Sequence, residues 1–157
     1  MPDAPWLDHD EDRAWRALRR VHLLAMAAVS RDLHADSALS EADYEVLSTL
    51  SELPGRASRF RDLAEAIHWS TSRLSHQLGR MEERGLVLRR PTAKDKRGSE
   101  VELTESGWST IHAAAADHVR SVRRHVFDHL TAEQTKQLAD IASSIAAAHE
   151  ADRSNSR

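Results

Sequence analysis

Between Arg56 and Arg97 the chain reads as two short helices joined by a tight turn, followed by a small β-hairpin with a basic tip. Phe60, Leu63, Ala64 and Ile67 predict the inward face of a short helix near Arg59 to Ile67. His68-Trp69-Ser70 makes the turn, and Ser70 is placed to cap a second helix over about Thr71 to Arg84. In that helix Leu74, Leu78 and Met81 fall at i, i+4 and i+7, a single narrow apolar stripe. Gly85 holds the C-cap position. Leu86-Val87-Leu88-Arg89-Arg90 predicts a strand, Pro91 to Gly98 a turn, and Ser99-Glu100-Val101-Glu102-Leu103 a return strand that alternates polar and apolar.

The same segment carries eleven Lys/Arg against five Asp/Glu, whereas both flanks are acidic. A formal charge of −3 over 157 residues therefore conceals a basic centre. Concentrated positive charge on a helix-turn-helix is what a phosphate backbone attracts.

The flanks predict helices. From about Asp12 to His34, Trp15, Leu18, Val21, His22, Ala25, Met26, Val29 and Leu33 recur at spacings of three and four. Residues 1–10 are expected to fray. Ser40, with Asp43 three residues on, predicts a capped helix to about Glu52, closed by Pro54-Gly55. Thr104 can cap a long helix to about Leu130, and Thr131 with Gln134 a last helix over about Ala132 to His149. The fold class expected is mainly α (α+β): a winged helix-turn-helix with about six helices and a β-hairpin wing. Its expected division is an N-terminal dimerisation helix (1–36), a DNA-binding domain (37–104), C-terminal dimerisation helices (105–150) and a disordered tail (151–157). Helices at the two chain ends cannot easily cover one another and the wing as well, so a second copy is expected to cover them. A two-fold dimer would set two recognition helices one DNA turn apart, ~34 Å.

The recognition helix leaves Ser72, Arg73, Ser75, His76, Gln77 and Arg80 off its apolar stripe. Arg73, Ser75, His76 and Gln77 have the donors and acceptors for base edges in the major groove. Ser70, Thr71, Ser72 and Arg80 suit phosphates, the first of them at a helix N-terminus with free N–H groups. At the wing tip Lys94, Lys96 and Arg97 bring positive charge to a narrow minor groove or the backbone, with Asp95 as a brace.

These residues resemble those of the MarR family of winged helix-turn-helix regulators. The resemblance is carried by Leu39-Ser40-Glu41-Ala42-Asp43-Tyr44-Glu45-Val46-Leu47, Leu63-Ala64, Ser70-Thr71-Ser72-Arg73-Leu74-Ser75 and Leu78-Gly79-Arg80-Met81-Glu82. It continues through Arg84-Gly85-Leu86-Val87 and the wing signature Asp95-Lys96-Arg97, ending at Leu103-Thr104. It implies a homodimer on near-palindromic operators in double-stranded DNA, with Arg97 as the minor-groove arginine and Asp95 as the matching acid. It also implies release by a small, often aromatic, anionic effector held between the dimer and DNA-binding regions. Trp15, His22, Met26, Glu45 and Trp69 are the candidate pocket. A urate-responsive branch resembles this chain in a first-helix tryptophan, Trp15 here, and differs in carrying an aspartate at the place of Glu45.

Other chemistry is less well served. There is no cysteine, which excludes disulfides, Cys-ligated zinc and thiol redox sensing. No G-x-S-x-G, Walker loop, GxGxxG or HExxH occurs, so neither an enzyme nor a cofactor or metal is expected. His125 and His129 could share a helix face and take a metal with Asp128 or a residue of a second copy. His22 and His112 are candidates for making the dimer pH-sensitive. No apolar run is long enough for a membrane span and no signal core opens the chain, so a cytoplasmic protein, on the nucleoid when DNA-bound, is expected, and an excess of Arg over Lys with abundant Ala points to a bacterial source. The competing reading is a winged-helix protein-interaction module without sequence-specific DNA binding.

Overall fold

A computed structural model describes the backbone of residues 6–92 and 95–155 and the side chains of residues 6–91 and 99–152. The chain opens with α1 (His9–Val21), a π-helical turn (His22–Met26) and α2 (Ala27–Ser37), right-handed throughout. Asp8 and Glu11 form a capping box, so the helix starts inside the stretch expected to fray. A π turn inserts one residue, which rotates the downstream helix by about 100°. This separates two faces that the spacing of three and four runs together. Val29 and Leu33 of α2 are buried, whereas Trp15, Leu18 and Val21 of α1 stay more than half exposed.

After Ala38, left-handed at φ 57°, Ser40 caps α3 (Glu41–Glu52) in a capping box with Asp43. Then come β1 (Ala57–Arg59), α4 (Phe60–Ala66), α5 (Thr71–Glu83), β2 (Val87–Thr92) and β3 (Asp95–Leu103). The sheet is three-stranded and antiparallel in the order β1-β3-β2, with Val101 opposite both Ser58 and Arg89. The expected hairpin thus gains a third strand, too short to show a periodicity of its own. Val46, Leu47 and Leu50 of α3, Leu63 of α4, Leu74, Leu78 and Met81 of α5, and Val101 of β3 are fully buried in one core.

Thr104 caps α6 (Glu105–His125), which stops short of Leu130. Val126 leaves the helical region, a 3₁₀ turn comes next at Phe127–His129, and α7 (Ala132–Asn155) starts behind the Thr131–Gln134 pair. Helix α7 continues through Ala151 to Asn155, a correction to the disordered tail expected from 151, where alanine-rich sequence carries the helix past His149. Asp32 of α2 clamps this region, accepting from Ser121 Oγ at 2.6 Å, from Arg124 and from His125 Nε2 at 2.8 Å. These three partners hold its carboxyl well below the usual carboxylate range. The break at Val126 puts His125 and His129 on different elements, and among the described residues no group of three or more His, Asp or Glu is placed to hold a metal ion.

His118 of α6 joins α3 through Tyr44, with ring centroids 4.1 Å apart, and its buried Nδ1 has no hydrogen-bond partner. Burial pushes its pKa down, against a weaker opposing pull from Glu41. A histidine whose folded pKa is depressed stabilises fully above its unfolded value, about 6.5, and loses that contribution as pH falls below it. The urea midpoint is therefore expected to decline from about pH 7 to about pH 5, and His118→Phe to flatten the decline. An unchanged slope in the variant would assign it to other groups.

Candidate nucleic-acid interface

Helix α5 owes its place to its own amphipathicity. Leu74, Gln77, Leu78 and Met81 turn inward, and Thr71, Ser72, Arg73, Ser75, His76 and Arg80 are exposed. The entry turn is fixed by backbone bonds from Ile67, His68 and Trp69 N–H back into α4, with His68 left-handed at φ 55°. The Ser70 hydroxyl accepts the Arg73 N–H at 3.2 Å and so caps the helix. An accepting hydroxyl keeps its own proton to donate, so capping does not remove Ser70 as a phosphate donor. Trp69, half-buried against the core, holds the Arg73 guanidinium 4.0 Å from its ring centroid. Stacking orders that side chain before any partner arrives.

Gln77 is the residue that sequence reasoning misplaced. It is only 2% exposed, and its amide donates to Asp43 Oδ1 at 2.6 Å, so it is not presented to base edges. Asp43, equally buried, is raised by burial but held lower by Arg84 and Ser40, which win. The missed signal is spacing: Leu74, Gln77, Leu78, Met81 and Arg84 continue one face at i, i+3, i+4, i+7 and i+10.

The basic segment divides into two populations. Arg56 lies 3.9 Å from the Trp108 ring centroid and 3.1 Å from Glu105, which ties the start of β1 to α6. Arg84 pairs with Asp43 and Arg90 with Glu102. Arg89 binds Glu82 through both its backbone N–H (2.9 Å) and Nε (2.6 Å), fastening β2 to α5. Burial acts upward on the Glu82 pKa, and Arg89 overcomes it to hold the carboxyl low. These arginines build the scaffold. Arg59, Arg61, Arg73 and Arg80 stand on the exposed surface of the same unit, as do the acid-paired Arg84 and Arg90. Lys94 lies outside the described residues, as do the side chains of Asp95, Lys96 and Arg97, whose backbone forms the start of β3.

Within one chain the candidate effector residues do not line a single cleft. Glu45, Trp69 and Arg73, with Ser30, Ser40 and Glu41, line a cleft of about 420 Å³ between α2, α3 and α5. Trp15, His22 and Met26 are not among its walls. They sit on α1 and the π turn, where side chains face away from this chain's core. On the other side of Ser40 a cleft of about 470 Å³ is walled by His34, Asp43, Gln77, Arg80, Glu83 and Arg84.

A family model described as MarR family matches residues 39–99, from the cap of α3 into the wing. The chain resembles AbsC, a MarR family transcriptional regulator from Streptomyces coelicolor. The two are 40% identical with a TM-score of 0.88, over 94% of this chain and 99% of the other. It also resembles Sco3205, a MarR family transcriptional regulator of the same organism solved in complex with DNA. Identity there is 36% and the TM-score 0.87, over 91% and 90% of the two chains. The HTH-type transcriptional regulator PecS of Dickeya dadantii is 27% identical over 122 residues, 77% of this chain and 73% of its own length.

Proposed function

The chain belongs to the MarR family of transcriptional regulators, and on that premise we propose that it is a homodimeric, effector-responsive repressor of a near-palindromic operator in double-stranded DNA. The observation that carries this reading is the outer face of α5. It is polar along its length, bears Arg73 already stacked on Trp69, and backs onto a buried face of Leu74, Leu78 and Met81 with Gln77. Arg73, Ser75 and His76 read base edges in the major groove. Ser70, Thr71, Ser72 and Arg80 hold phosphates. Arg97 enters the minor groove, with Lys94 and Lys96 at the backbone and Asp95 as its brace. Gln77 leaves the reading set and joins the scaffold.

Residues 1–36 and 105–150 form the dimer region and residues 37–104 the DNA-binding domain. In the single chain none of the described residues of α1 and α7 is buried, and Trp15, Leu18, Val21, Leu138, Ile141 and Ile145 face outward. Between them runs an apolar groove of about 630 Å³, walled by Ala17, Val21, Leu24, Val126, Leu130 and Leu138. Apolar area on this scale asks for a second copy. The cleft of Glu45, Trp69 and Arg73 takes a small aromatic or anionic effector, since an indole and the guanidinium of a reading residue stand together in its wall. Among the described residues no helix is long and apolar enough to cross a membrane. A DNA partner of this kind would hold the protein on the bacterial nucleoid.

The test is a gel-shift titration against DNA upstream of the protein's own gene, with a random duplex as competitor. Binding is expected to resist the competitor and to weaken by about 10³-fold or more between 50 and 200 mM salt, if several phosphates are contacted. Equal affinity for both duplexes would remove sequence-specific regulation, and salt-insensitive binding would favour a winged-helix module for a protein partner.

A further inference from the structure

Gln77 is a buried polar residue on a helix whose other inward positions are Leu74, Leu78 and Met81. Its Nε2 donates to Asp43 Oδ1 at 2.6 Å, and its Oε1 accepts from the Arg80 guanidinium. A carboxylate only accepts and a guanidinium only donates, so a single orientation of the amide satisfies both partners. Asp43 is itself fixed from the far side. Ser40 N–H lies 2.9 Å and Ser40 Oγ 2.7 Å from its Oδ2, and Arg84, the C-cap of α5, also binds Oδ1. A continuous series of hydrogen bonds therefore runs from the cap of α3, through Asp43 and Gln77, to Arg80 on the exposed face.

We propose that Gln77, held by Asp43, is a positioning residue that sets the Arg80 guanidinium for its phosphate contact on DNA. This rests on the reading of α5 as the DNA-binding helix. Burying an amide in an apolar stripe does nothing for the core that leucine would not do as well. Nor is Gln77 needed to join α3 to α5, because the Asp43–Arg84 pair already does so. What Gln77 adds is a tether. One guanidinium nitrogen is engaged inward, and the remaining N–H groups are left to meet a phosphate oxygen. An arginine ordered in advance loses less freedom on binding than one that must be immobilised then.

The experiment is a double-mutant cycle on the full chain, with Gln77→Leu, Arg80→Ala and the double variant titrated against a random duplex. A phosphate contact is sequence-independent, so no operator is required. Arg80→Ala is expected to weaken binding about tenfold and to lower the salt slope by about one. Gln77→Leu is expected to weaken it about threefold to tenfold, and to cost nothing further once Arg80 is alanine. Gln77→Met serves as a second apolar variant, and urea midpoints compare the folds. Additive losses would make Gln77 a structural residue and overturn the proposal, as would loss of the fold in both apolar variants. Wild-type affinity for Gln77→Leu would overturn it too, while leaving α5 as the DNA-binding helix. A wild-type protein that binds no DNA at low salt would overturn that underlying reading instead, and this inference with it.

Discussion

Gly107→Ala is expected to destabilise the protein by about 3 kcal/mol, at the upper end of what overpacking costs. A Cβ at Gly107 would lie 2.0 Å from the Leu86 carbonyl oxygen and 2.8 Å from Leu103 Cδ1. The leucine side chain can turn away, but the carbonyl is held. Leu86 accepts the Thr104 N–H at 3.2 Å, and the Thr104 hydroxyl lies 2.7 Å from the Gly85 carbonyl and 3.1 Å from that of Leu86. Thr104 in turn accepts the Gly107 N–H at 2.9 Å as the cap of α6. Three elements meet within these few residues: the end of α5, the start of β2 and the first turn of α6. Relieving the clash means separating the wing from α6 or breaking that cap. Gly79 supplies the contrast, since a Cβ there meets nothing within 4 Å and its backbone is ordinary helix. Gly79→Ala is expected to stabilise by about 0.5–1 kcal/mol through reduced freedom of the unfolded chain. Urea midpoints of the two variants should thus move in opposite directions. A Gly107→Ala midpoint equal to that of the wild type would mean that the wing root yields, and would disprove the rigidity of this junction.

The elements that local chemistry specifies are legible in the sequence alone. Ser40 with Asp43, Ser70, Thr104, and Thr131 with Gln134 all cap the helices they are placed to cap, and Gly85, expected as the C-cap of α5, lies one residue past the C-cap Arg84 at φ +70°. Each of these signals lies within a few residues of what it controls. The features that escape such a reading depend on partners distant in sequence. Arg84 meets Asp43 across 41 residues and Gln77 meets it across 34, and Arg56 meets Glu105 across 49. A count of charges cannot separate arginines that build the wing from arginines that face outward. The π turn at His22–Met26 is hidden for another reason. It shifts the phase of a helix whose residues still recur at three and four, so the sequence continues a face that the backbone abandons. Trp15 and Met26 lie on α1 and the π turn, and within one chain they do not line the cleft of Glu45 and Trp69.

Arg73→Ala is expected to weaken operator binding by about 1–3 kcal/mol while changing affinity for random DNA much less. Of the exposed side chains of α5 that could read a base, Arg73, Ser75 and His76, only Arg73 is able to form a bidentate contact. Its guanidinium is also ordered beforehand, 4.0 Å from the Trp69 ring centroid. Stacking removes part of the entropy that a long side chain would otherwise lose on contact. Arg73 is near the N-terminal end of α5, the end that recognition helices turn toward base edges. Arg80 stands two turns further on, tied to Gln77 and suited to the backbone, so its loss should reduce both affinities alike. The measurement is the ratio of operator to random affinity for the two variants at one salt concentration. Arg73→Ala should collapse that ratio and Arg80→Ala should preserve it. The position of Arg73 adds a second consequence, because it also walls the cleft with Glu45 and Trp69. An anionic effector that pairs with this guanidinium competes with the base for the same donors. Equal loss on both duplexes would make Arg73 a phosphate contact, and effector release would then have to act through movement of α5 and not through withdrawal of its reading residue.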